Sequence, residues 1–148
     1  MERVKIHLPD TFAFSTVITI RITDLNYGGH VGNDKFLSLI HEARQQFLMS
    51  HGYKELSFEG AELIQTDAAI EYKRELNYAD AVKISVAASG FDKYGFDLFY
   101  KMEVVTNEQT ILAAKAKTGM LCYDYEKRKL VTMPEGAKEK LSGKIREM

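Results

Sequence analysis

The stretch Asp24-Leu-Asn-Tyr-Gly-Gly-His-Val-Gly-Asn33 decides how the chain is read. Gly28, Gly29 and Gly32, set among Asx residues, describe a loop whose backbone visits unusual dihedrals. The residues before it alternate. Ile18, Ile20 and Ile22 share one face, Thr19 and Arg21 the other, so residues 14–22 are expected to form a half-buried strand. Counting on by two puts Asp24 on the inward face if the strand reaches that far. After the loop the period changes. Phe36, Ile40, Ala43 and Phe47 recur at helical spacing, which predicts a long helix over residues 34–50. Asn33 is the expected N-cap, Asp34 suits the first turn, and Gly52 suits the stop.

Strand patterns fill most of what remains. Ile64, Thr66, Ala68, Ile70 and Tyr72 alternate with Gln65, Asp67, Glu71 and Lys73. Val82 to Ala88, Phe96 to Val104 and Leu112 to Met120 give three more alternating runs. The breaks between them are short and turn-like, so neighbouring strands pair mostly antiparallel. Pro134 is expected to open a short helix running to about Leu141. One long helix with an antiparallel sheet of five to six strands is an α+β layout, with the sheet wrapped around the helix.

Composition narrows the function classes. A chain of 148 residues fits one domain, taken as residues 1–148. A formal net charge of −1 gives no sign of a nucleic-acid-binding surface. No stretch approaches the length of a membrane span, and the first residues lack the apolar run of a signal peptide. Cys122 is the only cysteine, which suits a reducing cytoplasm, and its apolar neighbours place it in the core. The histidines lack ligand-like spacing, so neither a metal nor another cofactor is expected.

The loop and helix, with Phe36-Leu37 and Glu42-Ala-Arg44, resemble the D-x-D-x-x-G-H-V-N-N … Y-L … E-A-R signature of the 4-hydroxybenzoyl-CoA-thioesterase-like hotdog proteins. Ile70-Glu-Tyr-Lys-Arg-Glu-Leu-Asn-Tyr-Ala-Asp80 is similar to the same family's I-x-Y-x-R-P-L-R-Y-G-D, and Met133-Pro-Glu135 to its closing motif. The resemblance implies a hotdog fold, hydrolysis of an acyl-CoA or acyl-ACP thioester, and a homodimer or homotetramer with active sites at the dimer interface.

Thioester hydrolysis needs a donor for the carbonyl, a carboxylate to attack or to activate water, and an apolar slot. Amides at Gly32 and Asn33, at the start of the helix, are the candidate substrate-binding donors, and the resemblance selects Asn33. The carboxylate is where the chain departs from its family. The usual catalytic aspartate position holds Asn26, and an amide cannot serve as a base at neutral pH. Two acids are the alternatives. Asp24 matches the first aspartate of the signature and could instead hold the loop through an Asx turn. Glu42 lies on the flank of the apolar stripe, about 120° from its centre at ~100° per residue, facing either an interface or solvent. His30 matches the family's G-H-V histidine and could orient a carbonyl or water, or simply bond to backbone. The candidate catalytic set is therefore Asp24, Asn26, His30 and Glu42. Asn26 also motivates the rival expectation of a hotdog protein that binds acyl thioesters without efficient turnover.

Overall fold

The structure, a computed structural model, describes residues 1–143. The elements in chain order are β1 (Phe14–Thr19), α1 (Asn33–Ser50), β2 (Glu62–Tyr72), β3 (Ala81–Ser89), β4 (Gly95–Val105), β5 (Thr110–Asp124), β6 (Lys129–Leu130) and α2 (Glu135–Ser142). The sheet runs β1-β3-β4-β5-β2, with β6 paired to β5, and every pairing is antiparallel. This is the α+β hotdog layout, with one long helix against an antiparallel sheet. The expectation of one domain over residues 1–148 extends past the described residues.

The helix forms where its spacing predicts. Phe36, Leu39, Ile40, Ala43, Phe47 and Leu48 are buried and join the sheet residues in one core. Each large apolar side chain among them contributes roughly 1.5–3 kcal/mol by leaving water. Phe47 meets Phe14 of β1 edge to face at 5.6 Å, which ties the helix to the first edge of the sheet. The helix start differs from expectation by one residue. Gly32 is the N-cap, extended at φ −66° and ψ 151°, and Asn33 is already helical. The cause is local: Gly32 supplies the carbonyl that Lys35 N–H reaches at 2.9 Å. At the other end Gly52 adopts φ +85°, a conformation that favours glycine, and stops the helix as expected.

β1 ends at Thr19, short of the expected residue 22. A 3-10 turn over Ile22–Asp24 follows and turns the chain, leaving Ile22 67% exposed while Ile20 is buried. Two strands change phase. In β2 the register slips between Gln65 and Asp67, so Leu63 rather than Ile64 is buried before the slip, while Ala68 and Ile70 beyond it pair with buried Thr118 and Ala116. In β5 the pairing slips opposite Met102 and Glu103, and Ala113 is buried beside Ala114 while Leu112 is only half-buried. One extra residue on one strand reverses every face beyond it. α2 has Pro134 as its N-cap and runs one residue past the expected Leu141.

A buried polar chain crosses the core. Arg44 of α1 donates to Glu55 at 2.8 Å and to the Tyr100 hydroxyl at 3.3 Å, and Tyr100 shares a 2.7 Å bond with Thr118. Burial disfavours the Arg44 charge, but Tyr100 and Glu55 outweigh it and raise its pKa. Arg44 of the E-A-R motif thus fastens the helix to the middle of the sheet.

Candidate functional site

The loop between β1 and α1 is built by its own short bonds. Asn26 N–H donates to the His30 carbonyl at 2.8 Å, and Gly29 N–H to the Asn26 carbonyl at 3.1 Å. The Asn26 side-chain oxygen accepts from Gly28 N–H at 2.8 Å, an Asx turn. Gly29 sits at φ +85°, the left-handed region that this reversal requires. Leu25 and Val31 pair as an isolated bridge, closing the loop at its base. Val31 N–H then donates to the Leu76 carbonyl at 2.9 Å. Leu76 is fully buried, so this bond anchors the loop to the segment leaving β2.

That anchor creates an open cleft of about 530 Å³ between the loop, the start of α1 and the end of β2. Asn26, His30 and Asn33 line one side, and Tyr72, Lys73, Arg74 and Glu75 the other, with Val31 and Phe36 as apolar lining. Tyr72 meets Phe36 edge to face at 5.1 Å, and its hydroxyl donates to the Asn33 carbonyl at 2.9 Å. Burial and the charge of Asp34 raise the Tyr72 pKa, so the phenol stays protonated as a donor. His30 Nε2 lies 3.5 Å from Glu75 Oε2. Gly32 is buried at the helix start, where an added Cβ would meet Asp34 Oδ1 at 2.7 Å and Asn26 Cβ at 3.6 Å. Asn33 and Asp34 open α1, so their amides have no carbonyl a turn earlier to bond. The dipole adds partial positive charge at the same place.

The four candidate catalytic residues do not share this cleft. Asp24 and Glu42 line a different groove, between β1 and α1, with Arg21, Lys35 and Gln46. The reason for Asp24 is the early end of β1. The 3-10 turn buries Asp24 to 3% exposure, and Oδ2 accepts from Arg21 N–H at 2.8 Å while Oδ1 lies 3.3 Å from Arg21 Nη2. Burial pushes this carboxyl up, but the Arg21 backbone and side-chain bonds, with the charges of Arg21 and Lys35, outweigh it and hold the pKa below its ordinary value. Glu42 is exposed and accepts from Gln46 Nε2 at 2.7 Å, one helical turn on. Cys122 is fully buried, and burial, helped by Asp92, pushes its thiol up to about 11. It is a core residue and no nucleophile.

Tyr72 and Glu75 were not singled out as site residues from the sequence. Tyr72 reads as one more position in an alternating strand, and Glu75 as one charge in a polar turn. The Val31–Leu76 and Tyr72–Asn33 bonds bring them to the loop and the helix start. Among the described residues no cluster of His, Cys, Asp or Glu could hold a metal ion. No helix among them is long and apolar enough to cross a membrane.

Comparison with known proteins follows the same lines. The family model of the thioesterase-like superfamily matches residues 20–141. A 1,4-dihydroxy-2-naphthoyl-CoA hydrolase of Microcystis aeruginosa is 30% identical over 122 residues, which is 80% of this chain and 86% of that protein. The crystal structure of a 1,4-dihydroxy-2-naphthoyl-CoA thioesterase from Synechocystis superposes with a TM-score of 0.77 at 21% identity, covering 86% of this chain and 94% of that one. An Asp-to-Asn mutant of 4-hydroxybenzoyl CoA thioesterase, solved with 4-hydroxybenzoyl CoA, superposes with a TM-score of 0.78 at 14% identity over 87% of this chain and 98% of its own. Both structures share the fold described above.

Proposed function

The chain belongs to the thioesterase-like superfamily, and from that premise we propose that it hydrolyses the thioester of an acyl-CoA or acyl-ACP in the cleft between the 24–33 loop and the end of β2. The observation that carries this reading is the start of α1 at Asn33, set in a cleft that also holds His30, Asn26 and an apolar wall. The amide of Asn33 polarises the thioester carbonyl, since an orphan N–H at the positive end of a helix costs no reorganisation when the oxyanion forms. Asn26 keeps its oxygen in the Asx turn and offers its amide hydrogens to the reactants. His30 orients water. Lys73 and Arg74 form a positive rim suited to the phosphates of CoA.

Asp24 holds the loop, because its oxygens are committed to Arg21. Glu42, in the separate groove, takes no part within one chain. Tyr72, half-exposed and braced edge-on by buried Phe36, gives the acyl group an aromatic neighbour, which favours an aromatic acid like that in the name of the Microcystis relative. A homodimer joined through β2 fits the same reading. β2 lies at the sheet edge, residues 65–68 are exposed, and the strand ends at the cleft. A cytoplasmic location fits the carrier.

Thiol release from a panel of acyl thioesters tests the proposal. The panel includes 1,4-dihydroxy-2-naphthoyl-CoA, 4-hydroxybenzoyl-CoA, straight-chain acyl-CoAs and an acyl-ACP. Turnover of at least one member is expected. Tight binding with no turnover of any would establish the rival reading, a binding protein whose Asn26 serves only the turn.

A further inference from the structure

We propose that Glu75 is the general base of this cleft and that His30 is its positioning residue. The inference rests on the hydrolytic reading above and supplies what that reading lacks. Asn26 cannot take a proton from water at neutral pH. Asp24 is locked to Arg21, and Glu42 lines another groove. Among the described residues lining the cleft, Glu75 is the one carboxylic acid. It stands where the family pattern has proline, so the acid absent at Asn26 and the acid present at Glu75 are two departures facing the same cleft.

The geometry suits the role. Glu75 Oε2 faces His30 Nε2 at 3.5 Å, close enough to pair with a protonated imidazole, and the exposed carboxylate has a second oxygen for water. The pair spans the two segments that the Val31–Leu76 bond joins, so its spacing is set by buried backbone rather than by two free loops. The side chain of Glu75 is 67% exposed, so water reaches it directly. Among the described residues, the other charged groups lining the cleft are Lys73 and Arg74, on the same segment as Glu75. Lys73 is paired with Glu71 at 2.9 Å.

The step balances without a further reagent. The Glu75 carboxylate takes one proton from water as the water oxygen bonds to the thioester carbon. The carbonyl electrons move to oxygen, where the Asn33 amide holds the charge. The C=O re-forms, the C–S bond breaks, and the thiolate takes the proton back from Glu75. The products are one acid and one thiol, with the carboxylate restored.

Steady-state thiol release by the full chain tests this. Glu75→Gln keeps shape and polarity at an exposed site, so it should fold like the wild type by circular dichroism. Its kcat is expected to fall about 100-fold or more, with KM within about threefold. The acid limb of the pH–rate profile should disappear. Glu75→Asp should keep that limb at a reduced rate, which a purely structural role would not produce. His30→Gln should lower kcat about tenfold and add little further loss in the Glu75→Gln background, because the two act as a unit. A Glu75→Gln enzyme within about twofold of wild-type kcat overturns the assignment while leaving the hydrolase reading intact. A wild type that turns over no thioester overturns both.

Discussion

Replacing Asn33 by proline separates the donor function of its amide from its place in the fold. Asn33 is the first helical residue of α1, so its N–H serves no helical hydrogen bond. Proline is well suited to this position, because its fixed φ matches a helix start. The preceding residue must then be extended, and Gly32 already is, at φ −66° and ψ 151°. The Asn33 carbonyl that accepts from Tyr72 is untouched. Stability should therefore change by no more than about 0.5 kcal/mol. The catalytic cost is of another size. Loss of one oxyanion donor removes about 2.7–4 kcal/mol from the transition state, or roughly 100- to 1000-fold in kcat. KM should move little, since the bond strengthens only as charge develops. Asn33→Ala is the control: it keeps the N–H and removes the side chain, and should retain most of the rate. The assay is thiol release at saturating substrate beside a urea melt. A folded Asn33→Pro protein with wild-type kcat refutes the role given to this amide.

Two further substitutions probe the loop. Asn26→Asp keeps the acceptor for Gly28 N–H, so the turn survives, and it sets a second carboxylate on the cleft. Thiol release should rise, and part of the rate lost in Glu75→Gln should return in the double variant; no change in either background removes residue 26 from the reacting centre. Asp24→Asn should cost about 1–2 kcal/mol at neutral pH by weakening the cap with Arg21. The Asp24 pKa is lowered in the fold, so its contribution is whole above the unfolded value of about 3.9 and is lost as pH falls through the folded value. The stability gap between the two proteins should close on acidification below about pH 4, and a gap unchanged to about pH 2 contradicts the assignment.

The fold was largely legible because it rests on periodicity. The 3.6-residue spacing from Phe36 to Phe47 and the alternation from Val82 to Met102 both hold in the structure. Alternation misled where a strand carries an extra residue, near Asp67 and at Ala113, since nothing in the local pattern announces a bulge. The near side of the cleft was legible in the 24–33 loop. The far side was not, because Tyr72 and Glu75 are brought there by the Val31–Leu76 and Tyr72–Asn33 bonds, contacts distant in sequence. Asp24 and Glu42 were grouped with the site by motif and by helical wheel. The 3-10 turn that follows the short β1 sends Asp24 to another groove, and Glu42 faces that groove from α1.

Amide NMR with a thioether analogue of an acyl-CoA, which cannot be hydrolysed, tests the location of the chemistry most directly. The largest shift changes are expected at residues 26–34 and 72–75, led by the Asn33 and Asp34 amides. Changes centred instead on Asp24, Lys35, Glu42 and Gln46 would contradict that location and move the reaction to the groove between β1 and α1.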